Sequence, residues 1–89
     1  MSIIEETDRF ECKIVNIIDN LKQWKGVVVE DIDSGGRVYF ARVKAEGFAK
    51  EIGDSLFLSV KELPYDIEEM SIEVHLYDEN DTEIDWTIL

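Results

Sequence analysis

Residues able to do covalent or acid–base chemistry are few. The chain holds one cysteine, Cys12, and one histidine, His75. An activated nucleophile needs a base within hydrogen-bond reach, so a catalytic pair could be built only from these two. Their spacing gives no reason to bring them together. His75 sits in an alternating stretch and is expected opposite Asp85, as a pair that either responds to pH or stays inert. No glycine-framed serine, phosphate-binding glycine loop, dinucleotide fingerprint or His-Glu-x-x-His pattern occurs. Asp78, Asn80 and Thr82 match the first ligands of a calcium loop, but Glu83 stands where that loop needs glycine and Leu89 where it needs a bidentate glutamate. Carboxylates abound, yet no apolar pocket can be inferred that would raise one pKa and spare its neighbour. The expectation is a chain without catalytic residues, metal or cofactor.

What the sequence concentrates is negative charge. Ten of its twenty-one acids lie in residues 62–89, a segment with no Lys or Arg, while residues 1–61 carry eleven acids against nine bases. The formal charge of −12 is thus the property of one segment. Like charges crowded on a sheet oppose folding, so acids sorted in this way invite a functional reading. They point to a surface that meets positive charge, made of Glu68, Glu69, Glu73, Tyr77, Asp78, Glu79, Asp81, Glu83 and Asp85. A plain solvated face is the competing explanation. Aromatic residues allow a different reading. Tyr39, Phe40, Phe57 and Trp86 stand at strand periodicity with Arg37, Arg42, Lys44 and Lys61 near some of them; they read as core, and otherwise as a platform for stacking bases.

The elements that must position these residues can be read from apolar spacing. Ile72, Val74 and Leu76 alternate with Glu73, His75 and Tyr77, and Ile84, Trp86 and Ile88 alternate with Glu83, Asp85 and Thr87, as in strands with one buried face. A loop Glu79-Asn80-Asp81 then pairs Tyr77 with Glu83, Leu76 with Ile84, His75 with Asp85 and Val74 with Trp86. Leu56, Leu58 and Val60 mark another strand, ended by Pro64. Val27–Asp33 and Arg37–Ala45 form a hairpin around Ser34-Gly35-Gly36, closing on Asp33 opposite Arg37. That register sets Val27, Val29, Ala41 and Val43 on one face. It gathers Val28, Ile32, Val38 and Phe40 on the other, a second candidate interface. Two apolar faces need two covers: a sheet curled on itself, a dimer mate or a partner.

Residues 8–25 predict a helix. Phe10, Ile14, Ile17, Ile18, Leu21 and Trp24 share one third of a helical wheel, with Thr7 as cap and Gly26 as stop. The expected architecture is a single α+β domain over 1–89, an N-terminal helix packed on a small, curled antiparallel sheet of about five strands. Against the helix stands the β-branching of Ile14, Val15, Ile17 and Ile18. If residues 10–18 are a strand, the chain resembles a small oligonucleotide-binding or cold-shock-like barrel, with Ile52-Gly53-Asp54-Ser55-Leu56 leading into a late strand.

The function expected from these features is non-enzymatic protein binding: an inhibitor, antitoxin, immunity protein or DNA mimic of phage or plasmid type. Its partner would be a basic nucleic-acid-handling protein such as a nuclease, polymerase or effector complex, met by electrostatically steered competition. An acidic pI argues against direct nucleic-acid or membrane binding. A lone cysteine and an acidic N-terminus without a long apolar run fit a cytoplasmic protein. The alternatives are a barrel-like single-stranded nucleic-acid-binding module with an acidic extension, and an accessory subunit, a homodimer included.

Overall fold

Phe10–Asp19, the greater part of the stretch whose periodicity predicts a helix, is a strand. A computed structural model describes residues 8–19, 23–63 and 71–89, and none of these is helical. Six strands run in chain order: β1 (Phe10–Asp19), β2 (Trp24–Asp31), β3 (Arg37–Lys44), β4 (Ser55–Leu63), β5 (Ser71–Tyr77) and β6 (Glu83–Ile88). They form one antiparallel sheet in the order β3-β2-β1-β4-β5-β6. β4 returns beside β1, which is Greek-key order. β6 then comes round to β3, so the sheet curls into a nearly closed barrel. The α+β expectation is therefore corrected to all-β, the architecture of the barrel alternative.

The reason lies in one extra residue. β1 pairs Ile14 with Val29 but Asn16 with Val28, so Val15 is a bulge. Phe10, Cys12 and Ile14 face inward at spacing two, and Ile17 follows at spacing three. Phe10, Ile14 and Ile17 thus recur at i, i+4 and i+7, which is also one face of a helix. β-branching at Ile14, Val15, Ile17 and Ile18 decides for the strand, because it fits a pleated surface and restricts χ1 in a helix. Of the rest of the expected helix, Asn20, Leu21 and Lys22 lie outside the described residues, and Trp24 and Lys25 open β2.

Similar bulges bend two more strands. β3 carries an extra residue between Phe40 and Val43, and β6 carries one at Ile84. Bulges sharpen local twist and let a sheet turn its edge. The barrel interior takes two fully inward residues from each of the first five strands: Cys12 and Ile14, Val27 and Val29, Phe40 and Val43, Leu56 and Leu58, Val74 and Leu76. Phe48, from the β3–β4 connection, packs on this core, whereas Ile52 is exposed. That connection docks through its backbone. Gly53 donates to the Ile14 carbonyl at 2.8 Å and Ile14 donates to the Asp54 carbonyl at 2.9 Å. Gly53 does so at a φ of 98°, open to glycine.

Two expected registers change. The β2–β3 turn closes earlier than Asp33: Asp31 donates to the Gly36 carbonyl (2.8 Å), and its Oδ2 accepts the Ser34 N–H (2.8 Å). Glu30 therefore opposes Arg37, three residues from the expected pairing. An odd shift exchanges the faces of a strand pair. Phe40 and Val38 turn inward opposite Val27 and Val29, and Val28 turns outward opposite Tyr39. Val28, Ile32, Val38 and Phe40 thus do not form one face, and a curled sheet covers the second apolar surface. In the C-terminal hairpin Tyr77 opposes Glu83 as expected, but beyond the Ile84 bulge His75 opposes Trp86 and Leu76 opposes Asp85.

Candidate functional site

The acids of the C-terminal hairpin have partners within the chain. Asp78 Oδ1 accepts the N–H groups of Asn80 (2.9 Å) and Thr82 (3.0 Å), closing the tip. Glu79 accepts from Lys50 Nζ at 2.7 Å. Asp81 accepts from Arg9 Nε at 2.8 Å and holds the Arg9 guanidinium above its ordinary pKa. Both ring nitrogens of His75 face carboxylates, Nδ1 in contact with Glu83 and Nε2 3.6 Å from Glu73. Asp85 points away from His75, towards β3. Glu68 and Glu69 lie outside the described residues. A carboxylate that satisfies a turn N–H or a neighbouring cation is less available to a partner, so this surface is weaker bait for a basic groove than its sequence implies.

Asp85 marks a place where the barrel wall is not laddered. β3 and β6 face each other without backbone pairing among the described residues. Asp85 bridges them, Oδ2 accepting the Arg42 N–H at 2.9 Å while Oδ1 accepts its neighbour Trp86 N–H at 2.7 Å. Along this seam lies a groove of about 470 Å³. Trp24, Phe48 and Trp86 supply aromatic walls, and Arg42 and Lys44 supply cations. Glu46, Glu83 and Asp85 also line it, two of them already occupied by His75 and by backbone donors. The volume falls within the range of ligand clefts. Arg42, Lys44 and Trp86 of the expected basic–aromatic set are brought together here. Tyr39 and Arg37 stand elsewhere on the outer face, Phe57 lies beside Tyr77, and Phe40 is core. Trp24 and Phe48 escape sequence reasoning because the seam joins positions far apart in the chain, and Trp24 fits the false helical stripe.

Outside the barrel, Tyr77, His75 and Trp86 form a ring row. His75 lies 6.3 Å from Tyr77 and 6.1 Å from Trp86 between centroids, with planes within 21° and 22° of parallel. The Arg9 guanidinium sits 4.0 Å over the Tyr77 ring.

Cys12 and His75 do not form a catalytic pair. Cys12 is buried inside the barrel, and burial pushes its thiol up to about 12, far from the thiolate a nucleophile needs. His75 is on the outer surface of β5, beside Trp86. Asp78, the first residue of the apparent calcium loop, spends Oδ1 on the turn itself. No family model matches this chain, and no curated protein and no solved structure matches it either.

Proposed function

We propose that this protein is a non-enzymatic barrel module that binds a short stretch of single-stranded nucleic acid in the groove between β3 and β6. The observation that carries this reading is the meeting of two tryptophans with Arg42 and Lys44 in one cleft. Bases stack on aromatic faces irrespective of sequence, and cations beside them take the phosphates. Trp24 and Trp86 serve as the stacking walls, Arg42 and Lys44 as the phosphate contacts. The strong net charge of −12 weighs against high affinity, so binding is expected to be weak and to fall steeply with salt.

Both tryptophans of the chain line the groove, so intrinsic fluorescence reports its occupancy. Titration with a short oligothymidylate at low salt is expected to quench that fluorescence. Trp24→Ala and Arg42→Ala each weaken binding by roughly 5–100-fold; the second keeps the backbone N–H that Asp85 needs. Unchanged fluorescence with both single-stranded DNA and RNA overturns the reading.

A second reading has the charge in its favour: the acidic segment 62–89 occupies a basic groove on a nucleic-acid-handling protein as an inhibitor or mimic. It predicts the opposite response to neutralised acids. Glu79→Gln, Asp81→Asn and Asp85→Asn weaken partner binding under this reading, and leave or tighten oligonucleotide binding under the first.

A further inference from the structure

We propose that His75, the one histidine of the chain, is a pH-sensitive switch for the charge on the β6 wall of the groove. Its consequence for oligonucleotide binding rests on the groove reading; the switch itself does not. Both nitrogens of the ring face carboxylates. Nδ1 is in contact with Glu83, and Nε2 lies 3.6 Å from Glu73. An imidazolium carries an N–H at each nitrogen, whereas the neutral ring has one N–H and one lone pair. Only the protonated form offers a donor in both directions, with a positive charge between two negative ones.

The neighbours make Glu83, more than Glu73, the group that feels the change. On β4, Ser59 opposes His75 and is uncharged, while Lys61 opposes Glu73 and sets a second cation across the ladder from it. On β5, Tyr77 lies under the Arg9 guanidinium, which is itself tied to Asp81. On β6, the uncharged Trp86 opposes His75, Tyr77 opposes Glu83, and Asp85 is turned towards β3. Glu83 has its ion pair with His75 and also lines the groove that holds Arg42 and Lys44. When His75 gives its proton to solvent, the Glu83 carboxylate is left uncompensated on the groove wall. There it lowers the positive potential that Arg42 and Lys44 present to a phosphate. Histidine is the side chain whose charge changes near neutral pH, so the groove takes phosphate more readily in mild acid than in mild base. The Glu83 side chain is 45% exposed, and solvent screens part of the effect.

The test follows the full chain, isotope-labelled, by NMR from about pH 5.5 to about pH 8.5, first alone and then with a short oligothymidylate. In the free protein the side-chain carboxyl carbon of Glu83 is expected to shift with the same midpoint as the His75 ring protons. A Glu83 carbon that passes through the His75 midpoint without a step overturns the switch. With oligothymidylate at low salt, affinity is expected to fall about threefold or more as His75 loses its proton. His75→Gln, neutral throughout this range, should abolish the pH dependence and bind weakly at every pH. His75→Lys, charged throughout it, should abolish the dependence and bind tightly at every pH. Native-like amide dispersion of both variants excludes unfolding as the cause. A merely structural role for His75 would weaken both variants alike, and that result overturns the proposal. So does a pH dependence that survives in His75→Gln. Absence of oligonucleotide binding at every pH overturns the groove reading, while the Glu83 step still decides the switch.

Discussion

The backbone N–H of Arg42 on β3 donates to Oδ2 of Asp85 on β6 across 2.9 Å, where the ladder of the barrel is missing. One half-buried side chain therefore stands in for strand pairing. Asp85→Ala removes the acceptor for two backbone N–H groups and is expected to cost about 1–3 kcal/mol. Asp85→Asn keeps an acceptor and costs less than about 1 kcal/mol. Urea unfolding monitored by circular dichroism measures both. A midpoint shift at unchanged slope marks loss of stability, and a changed slope marks a native barrel that has opened.

Burial pushes the Cys12 thiol up to about 12 from an ordinary 9.0. Folding therefore favours the protonated thiol. That contribution is complete below pH 9.0 and is lost as pH rises to about 12, because the unfolded chain gives up its proton first. The expected loss over that window is roughly 2–4 kcal/mol. Thermal midpoints at rising pH should fall more steeply for the native protein than for Cys12→Ala. At neutral pH the folded protein should resist a chromogenic disulfide reagent, with reaction following unfolding.

Lys50 and Glu79 shift each other in opposite directions. Hydrogen bonding to Lys50 holds the Glu79 carboxyl below its ordinary 4.5, and Glu79 holds the Lys50 ammonium above its ordinary 10.5. The Glu79 contribution to stability is present above pH 4.5 and fades as pH falls through the lower folded value. The Lys50 contribution is present below pH 10.5 and fades as pH rises beyond it. Glu79→Gln should therefore narrow its difference from the native protein in acid. It should also narrow at about 1 M salt, since the pair is exposed and screened. A gap in melting temperature that ignores both pH and salt would refute the assignment.

Phe40 belongs to the interior. Phe40→Ala is expected to cost about 3–5 kcal/mol, a large share of the roughly 5–15 kcal/mol that holds a small domain together. Chemical denaturation measures the loss. A mild effect on stability with a strong effect on association would return Phe40 to an interface role.

The parts of the fold legible in the sequence are those governed by strict alternation. Leu56, Leu58 and Val60 give β4, Val74 and Leu76 give β5, and Tyr77 opposite Glu83 fixes the tip of the last hairpin. Illegible were the three bulges, because a one-residue insertion leaves composition unchanged while altering which side chains share a face. At Val15 it imitated a helix; at Ile84 it moved Trp86 beside His75 and sent Asp85 to β3. The β2–β3 register was missed for a related reason. Asp31 caps its own turn through Ser34, and the glycines alone do not say where the turn closes. Acid clustering was visible, but Arg9 and Lys50, which engage Asp81 and Glu79, come from distant segments. The groove was invisible as a unit, since Trp24, Arg42 and Trp86 meet only when the barrel comes round on itself.

The bulges also set how the strands tolerate substitution. In β1 even-numbered residues face inward up to Ile14 and odd-numbered ones from Ile17; in β3 the same exchange falls between Phe40 and Val43. Along a single strand, then, sensitivity to a charged replacement changes parity partway. Absorbing Val15 into regular pairing would extend one parity through the whole of β1 and turn Asn16 inward in place of Ile17, whereas deleting Val15 would keep Asn16 outward and Ile17 inward. The place of each bulge, to the single residue, is thereby as much a determinant of this barrel as the identity of its side chains.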